Sequence, residues 1–179
     1  EAARAVASSA GKVGIVGYGA LGRAVARVAE SFGMTVEIAN RPGGEAVVGR
    51  RNLDEILPRL DVLSLHCPLT DATRGLIDAA RLARMKPDAV LINTARGALV
   101  DAKALVEALR SGRLGGAGID VLEPEPPPAD HPLLDPAIPN LIVTPHIAWA
   151  ARESRQRCLD ELALNVASFL AGGRRNRVD

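Results

Sequence analysis

Six short, almost wholly apolar runs, separated by helical stretches, set the limits on what this chain can fold into. They are Lys12–Val16 (KVGIV), Thr35–Ala39 (TVEIA), Asp61–Leu65 (DVLSL), Ala89–Asn93 (AVLIN), Gly116–Asp120 (GAGID) and Leu141–Thr144 (LIVT). Strands this apolar must be covered on both faces, which is the pattern of a parallel sheet flanked by helices. The spacing predicts helices over Ala20–Phe32, Asn52–Leu60, Asp78–Arg84 and Arg152–Leu170, the last stopping at Gly172. A fifth is capped by Asp101, runs to Ser111 and is stopped by Gly112. The expected fold class is therefore α/β, a doubly wound parallel sheet. In Ala20–Phe32 the residues expected to face the core are Leu21, Val25, Val28, Ala29 and Phe32. In Arg152–Leu170 they are Cys158, Leu159, Leu162, Val166 and Phe169.

Charge and composition narrow the function. With 22 Lys and Arg against 21 Asp and Glu the net charge is +1, which gives no field for gathering nucleic acid or anionic lipid. Aromatic residues make up 2%, too few for a base-stacking platform. No apolar run approaches the roughly 20 residues a bilayer-spanning helix needs. Cys67 and Cys158 are too few for a disulfide scaffold and suit a reducing compartment, so a cytoplasmic location is expected. His66, His131, His146 and the two cysteines show no metal-ligand spacing, and no metal is expected. His131 is expected to be exposed.

Gly17-Tyr18-Gly19-Ala20-Leu21-Gly22 matches G-x-G-x-x-G between the first strand and the first helix. Gly17 permits the tight turn, Gly19 lets backbone approach a pyrophosphate, and Gly22 lets helix and strand pack closely. Ala20 and Leu21 open the helix, whose free N–H groups and partial positive charge face the phosphates. The fold expected is thus Rossmann-like, with 11–150 as the dinucleotide-binding domain. An acid commonly follows the second strand, about 20 residues on, to hold the ribose 2′-hydroxyl. Here Asn40 and Arg41 stand there. Asn40 does not repel a 2′-phosphate and Arg41 can pair with one, which favours NADP(H), with NAD(H) as the alternative.

Three further segments follow strand ends, where open α/β sheets bind ligands. They are Asn93-Thr94-Ala95-Arg96-Gly97, the run from Gly116 through Asp120 to Glu125-Pro126, and Thr144-Pro145-His146-Ile147-Ala148-Trp149. The second leads into Val121–Pro139, which holds seven prolines and reads as a stiff loop without regular structure. At such a site a histidine supported by a carboxylate can exchange a proton, and an arginine can hold an anionic group. Glu123 and Glu125 are equal candidates for that carboxylate on their chemistry alone.

With the His66-Cys67-Pro68-Leu69-Thr70 segment added, these motifs resemble those of the D-isomer-specific 2-hydroxyacid dehydrogenases. Within that family the resemblance is to glycerate dehydrogenases and hydroxypyruvate or glyoxylate reductases, over about Ala10 to Val178. It implies that Arg96 binds the substrate carboxylate and that His146 exchanges the proton. It implies that Glu125 hydrogen-bonds His146 and keeps its imidazole protonated, and that Asp120 contacts the nicotinamide carboxamide. Cys67, Pro68, Thr73, Thr94, Ala95, His146 and Ala148 are implied along the cofactor. A small 2-keto acid substrate and a homodimer formed through the nucleotide domain follow from the same resemblance.

In that family a substrate domain comes mainly from residues ahead of the glycine loop and receives the final helix back. Only residues 1–16 precede the loop here. The substrate domain is expected to be largely absent, with 1–10 an upstream helix end or linker and 151–179 the C-terminal helix that would return to it. Such a piece is expected to bind dinucleotide and turn over poorly. Two other readings stay open: an NAD-dependent glycerate dehydrogenase, and a non-catalytic dinucleotide-sensing binding module.

Overall fold

The computed structural model describes residues 11–40, 44 and 46–177. The chain divides after Pro145 into two compact units. The first is a six-stranded sheet, in which β1 (Lys12–Val16), β2 (Thr35–Ile38), β3 (Val62–Leu65), β4 (Val90–Asn93), β5 (Gly116–Ile119) and β6 (Leu141–Val143) run in the order β2-β1-β3-β4-β5-β6. Every pairing is parallel. This is the expected doubly wound sheet. The first crossover carries the chain from β1 to β2, and the next returns it from β2 past β1 to β3, so the switch point lies between β1 and β3.

Alternation along β1 shows how both faces are covered. Ile15 joins Val13, Ala26 and Ala29 on one face, while Val16 joins Leu63, Leu65 and Leu91 in the larger core on the other. Helix α1 (Ala20–Ser31) lies on the first face; Ala29 is buried and Val25 packs against this core as expected, but the other three expected residues face outward. Its buried positions are Gly22, Ala26 and Ala29, whereas Leu21, Val28 and Phe32 are 73%, 56% and 79% exposed. Both stripes have helical spacing; close approach decides between them. A Cβ on Gly22 would lie 2.0 Å from the Gly17 carbonyl oxygen, a separation that only a small-residue face tolerates.

The predicted helix over Asn52–Leu60 is two pieces, α2 (Leu53–Ile56) and a 3₁₀ turn (Leu57–Arg59). Pro58 has no N–H to continue the α-helical ladder. Asn52 caps α2 by accepting from the Asp54 N–H at 2.9 Å. Helix α3 is limited to Ala79–Leu82, with Asp78 accepting from the Arg81 N–H at 2.9 Å. Helix α4 (Ala102–Arg110) follows the expected scheme. Asp101 accepts from the N–H groups of Lys103 and Ala104 at 3.0 and 3.1 Å, and Leu105, Val106, Ala108 and Leu109 are buried. The proline-rich loop contains one 3₁₀ turn, Pro132–Leu134, where no regular structure was expected.

At the lower edge of the sheet Asp61 ties strands together. Its Oδ2 accepts from the Lys12 backbone N–H at 2.5 Å, and its Oδ1 meets the Lys86 ammonium at 2.7 Å. Burial pushes this carboxyl up, but the two donors outweigh burial and hold it below the usual carboxylate range.

The second unit, from His146, is built on α5 (Arg152–Leu170). None of its residues is buried. The expectation that Cys158, Leu159, Leu162, Val166 and Phe169 are core residues is therefore corrected: Cys158 is exposed, and Leu159 and Phe169 are 61% and 75% exposed. A single helix with short flanks supplies no second layer against which to bury a face.

Candidate active site

The glycine loop leaves β1 at the switch point. Gly17 has φ +94°, and a Cβ there would lie 2.5 Å from the Cys67 backbone nitrogen. The loop therefore rests on the backbone that follows β3. Gly17 and Gly22 are required by the chain's own packing, whereas a Cβ on Gly19 would meet nothing within 4 Å. The space before Gly19 opens at the N-terminus of α1, where no side chain caps the helix and no acid stands in the first turn. Backbone donors beside open space fit a pyrophosphate, so the residues present suit a dinucleotide. Ala20 and Leu21 begin this helix, Leu21 being exposed.

Cys67 is buried, and burial pushes its thiol up, away from the reactive thiolate. His66 is pushed down by burial, and its Nε2 lies 2.9 Å from Ser64 Oγ. Thr73, also buried, donates to the Pro68 carbonyl at 2.8 Å and accepts from the Thr70 N–H at 2.7 Å. Its hydroxyl is thus committed to shaping the loop that presents Pro68. Asn40 follows β2, and its Oδ1 accepts from the Val47 N–H at 3.0 Å. Arg41 lies outside the described residues.

Arg96 is exposed on a loop after β4, and its mount is a residue that sequence reasoning did not single out. Asn93, fully buried at the end of β4, accepts from the Ala95 N–H at 3.0 Å and donates to the Arg96 carbonyl at 2.9 Å. Thr94 is exposed and Ala95 half-buried on the same turn. Gly97 then lets this loop meet the next one: a Cβ there would lie 2.2 Å from the Leu122 carbonyl carbon. The signal for Asn93 was a polar residue closing an otherwise apolar strand.

Asp120 follows β5 and is 4% exposed, accepting from the Thr144 hydroxyl at 2.5 Å. Thr144 is a second residue not singled out beforehand. Glu125 Oε1 accepts from the Leu122 N–H at 2.8 Å, which folds the loop back on itself. His131 is 7% exposed, not exposed as expected. The Leu133 N–H donates to its Nδ1 and its Nε2 donates to the Glu123 carbonyl, both at 3.2 Å. An imidazole with both nitrogens engaged is a buried clamp for a proline-rich loop that has few backbone partners of its own. In the second unit His146 has φ +53°, and its carbonyl accepts from Trp149 Nε1 at 2.7 Å. Ala148 lies in the following turn, where the Ala150 N–H donates to Ile147.

Among the described residues no group of three or more His, Cys, Asp and Glu side chains could hold a metal ion, and no helix is long and apolar enough to cross a membrane.

Comparison with known proteins places these features. Over 167 residues the chain is 48% identical to the glycerate dehydrogenase of Methylorubrum extorquens, covering 93% of this chain and 52% of that protein. It is 39% identical to the hydroxypyruvate reductase of Blautia hydrogenotrophica, over 93% and 52% of the two chains. The structure of D-lactate dehydrogenase with NAD+ from Lactobacillus jensenii superposes with a TM-score of 0.83 at 33% identity, over 97% of this chain and 56% of that one. The chain thus spans about half the length of the curated relatives it matches. Residues 2–148 match the family model described as D-isomer specific 2-hydroxyacid dehydrogenase, NAD binding domain, and the chain belongs to that family.

Proposed function

We propose that this chain is the coenzyme-holding part of a cytoplasmic oxidoreductase. It transfers a hydride between NADP(H), in preference to NAD(H), and a small 2-keto or 2-hydroxy acid of the hydroxypyruvate, glyoxylate and D-glycerate kind. The observation that carries this reading is that Gly19, Arg96 and Asp120 follow β1, β4 and β5 at one edge of one sheet.

A bound nicotinamide supplies the hydride. The α1 N-terminus and the Gly19 backbone hold its phosphates, and Asp120 receives its carboxamide. Arg96 pairs with the substrate carboxylate and draws electron density from the carbonyl. His146 gives a proton to the carbonyl oxygen in reduction and takes it back in oxidation, with Glu125 as its carboxylate partner. Family resemblance supports these roles, and a homodimer formed through the nucleotide domain.

Calorimetric titration with NADPH and NADH tests the coenzyme assignment. NADPH should bind more tightly, and Arg41→Ala should remove most of the difference, about 1–3 kcal/mol for one charge-assisted pair. Tighter binding of NADH would favour an NAD-dependent glycerate dehydrogenase; binding of neither would end the reading.

A further inference from the structure

Two guanidinium groups converge on one ring beside the glycine loop. Arg23 Cζ lies 6.0 Å and Arg50 Cζ 5.9 Å from the centroid of Tyr18. They arrive from different elements. Arg23 stands in the first turn of α1. Arg50 precedes Arg51, whose backbone bonds Ile38 and Asn40 at the end of β2. Among the described residues neither forms an ion pair. Arg23 moreover sits at the positive end of a helix dipole that no side chain caps and no acid offsets. An anion is the group that would relieve both conditions.

The position selects among anions. In a doubly wound sheet the adenosine ribose lies between the helix N-terminus that takes the pyrophosphate and the end of the second strand. Arg50 bridges that interval, with its backbone beside the end of β2 and its guanidinium over Tyr18 of the glycine loop. We propose that Arg50, assisted by Arg23, seats the 2′-phosphate of NADP(H), and that Tyr18 holds the two cations ready for it. A guanidinium resting on an aromatic face can still offer N–H groups to a phosphate; Arg23 Nε donates to the Gly19 carbonyl at 3.4 Å, which leaves its terminal nitrogens for the anion. The proposal rests on the dinucleotide reading above and adds to Arg41 a cation from the far end of the same segment.

The test is fluorescence titration of the 179-residue chain with NADPH and NADH, which differ only in the 2′-phosphate. The wild-type chain should favour NADPH about tenfold or more. Arg50→Ala should cut that preference about fivefold or more while leaving NADH binding unchanged, which also reports an intact fold. Arg50→Lys should keep part of the preference, because it retains the charge but not the fork. Arg23→Ala should have a smaller effect of the same sign. If Arg50→Ala leaves the preference within about twofold, or weakens both coenzymes equally, the proposal falls. If Arg41→Ala abolishes the preference while Arg50→Ala does not, the NADP(H) reading stands and this one fails. A wild-type chain with no preference would overturn both.

Discussion

Asn93 Nδ2 donates to the carbonyl oxygen of Arg96 at 2.9 Å, from a side chain with no exposed surface. With the bond from Ala95 N–H to its Oδ1, one carboxamide closes the turn that carries the guanidinium. Asn93→Ala leaves two backbone groups without this partner and should destabilise the fold by about 1–3 kcal/mol. Asn93→Asp keeps the acceptor, loses the donor and buries a charge, so it should cost more. Urea midpoints for the three proteins measure both; equal midpoints for wild type and Asn93→Ala would show that the carboxamide is dispensable.

Gly97 is where the Arg96 loop meets the loop of Glu125. A methyl group there would press on the Leu122 and Glu123 backbone, which cannot swing aside as a flexible side chain would. Gly97→Ala should lower stability by about 1–3 kcal/mol. Thermal unfolding gives the number, and an unshifted midpoint would mean that the two loops part easily.

Thr144 steadies the carboxylate of Asp120. Under the proposed function, Thr144→Val should weaken NADH binding about 3- to 10-fold, a fraction of one charge-assisted hydrogen bond, because Thr144 acts only through Asp120. ADP-ribose, which lacks the nicotinamide, should bind unchanged, and Thr144→Ser should restore NADH. Equal losses for the two ligands would show a general disturbance of the site instead.

His66 supplies a pH dependence whose sign follows from its burial. Desolvation holds its folded-state value below the ordinary one of about 6.5. Between the two values the unfolded chain binds more protons than the folded chain. The stability from this residue is therefore complete above the ordinary value and is lost as pH falls through it. Chemical denaturation at steps from pH 8 to 5.5 should show a decline that His66→Gln flattens. A decline of the same depth in the variant would assign it to other groups.

Much of the fold was legible because its signals are local. Uninterrupted apolar runs give buried parallel strands, and Asp101 with Gly112 brackets α4 by capping chemistry that operates within a few residues. The order of the motifs likewise led to the sheet edge that bears Gly19, Arg96 and Asp120. What escaped depends on distance in space. Leu21, Val28 and Phe32 and the set Gly22, Ala26 and Ala29 both fit helical periodicity, and only the approach of α1 to β1 decides which is covered. The burial of His131 comes from carbonyl and N–H partners in its own loop, Glu123 and Leu133, that no side-chain pattern announces. The exposure of α5 reflects the lack of an opposing layer in its unit, which its own apolar spacing does not disclose.

The mount of Arg96 begins at the last residue of β4, an interior strand bonded on one side to β3 and on the other to β5. The guanidinium's anchorage is therefore inherited from the middle of the sheet rather than from its margins. Fraying at β2 or β6 would have to pass through at least one intact neighbouring strand to reach it, so the arginine should keep its bearing while coenzyme enters and leaves along the loops.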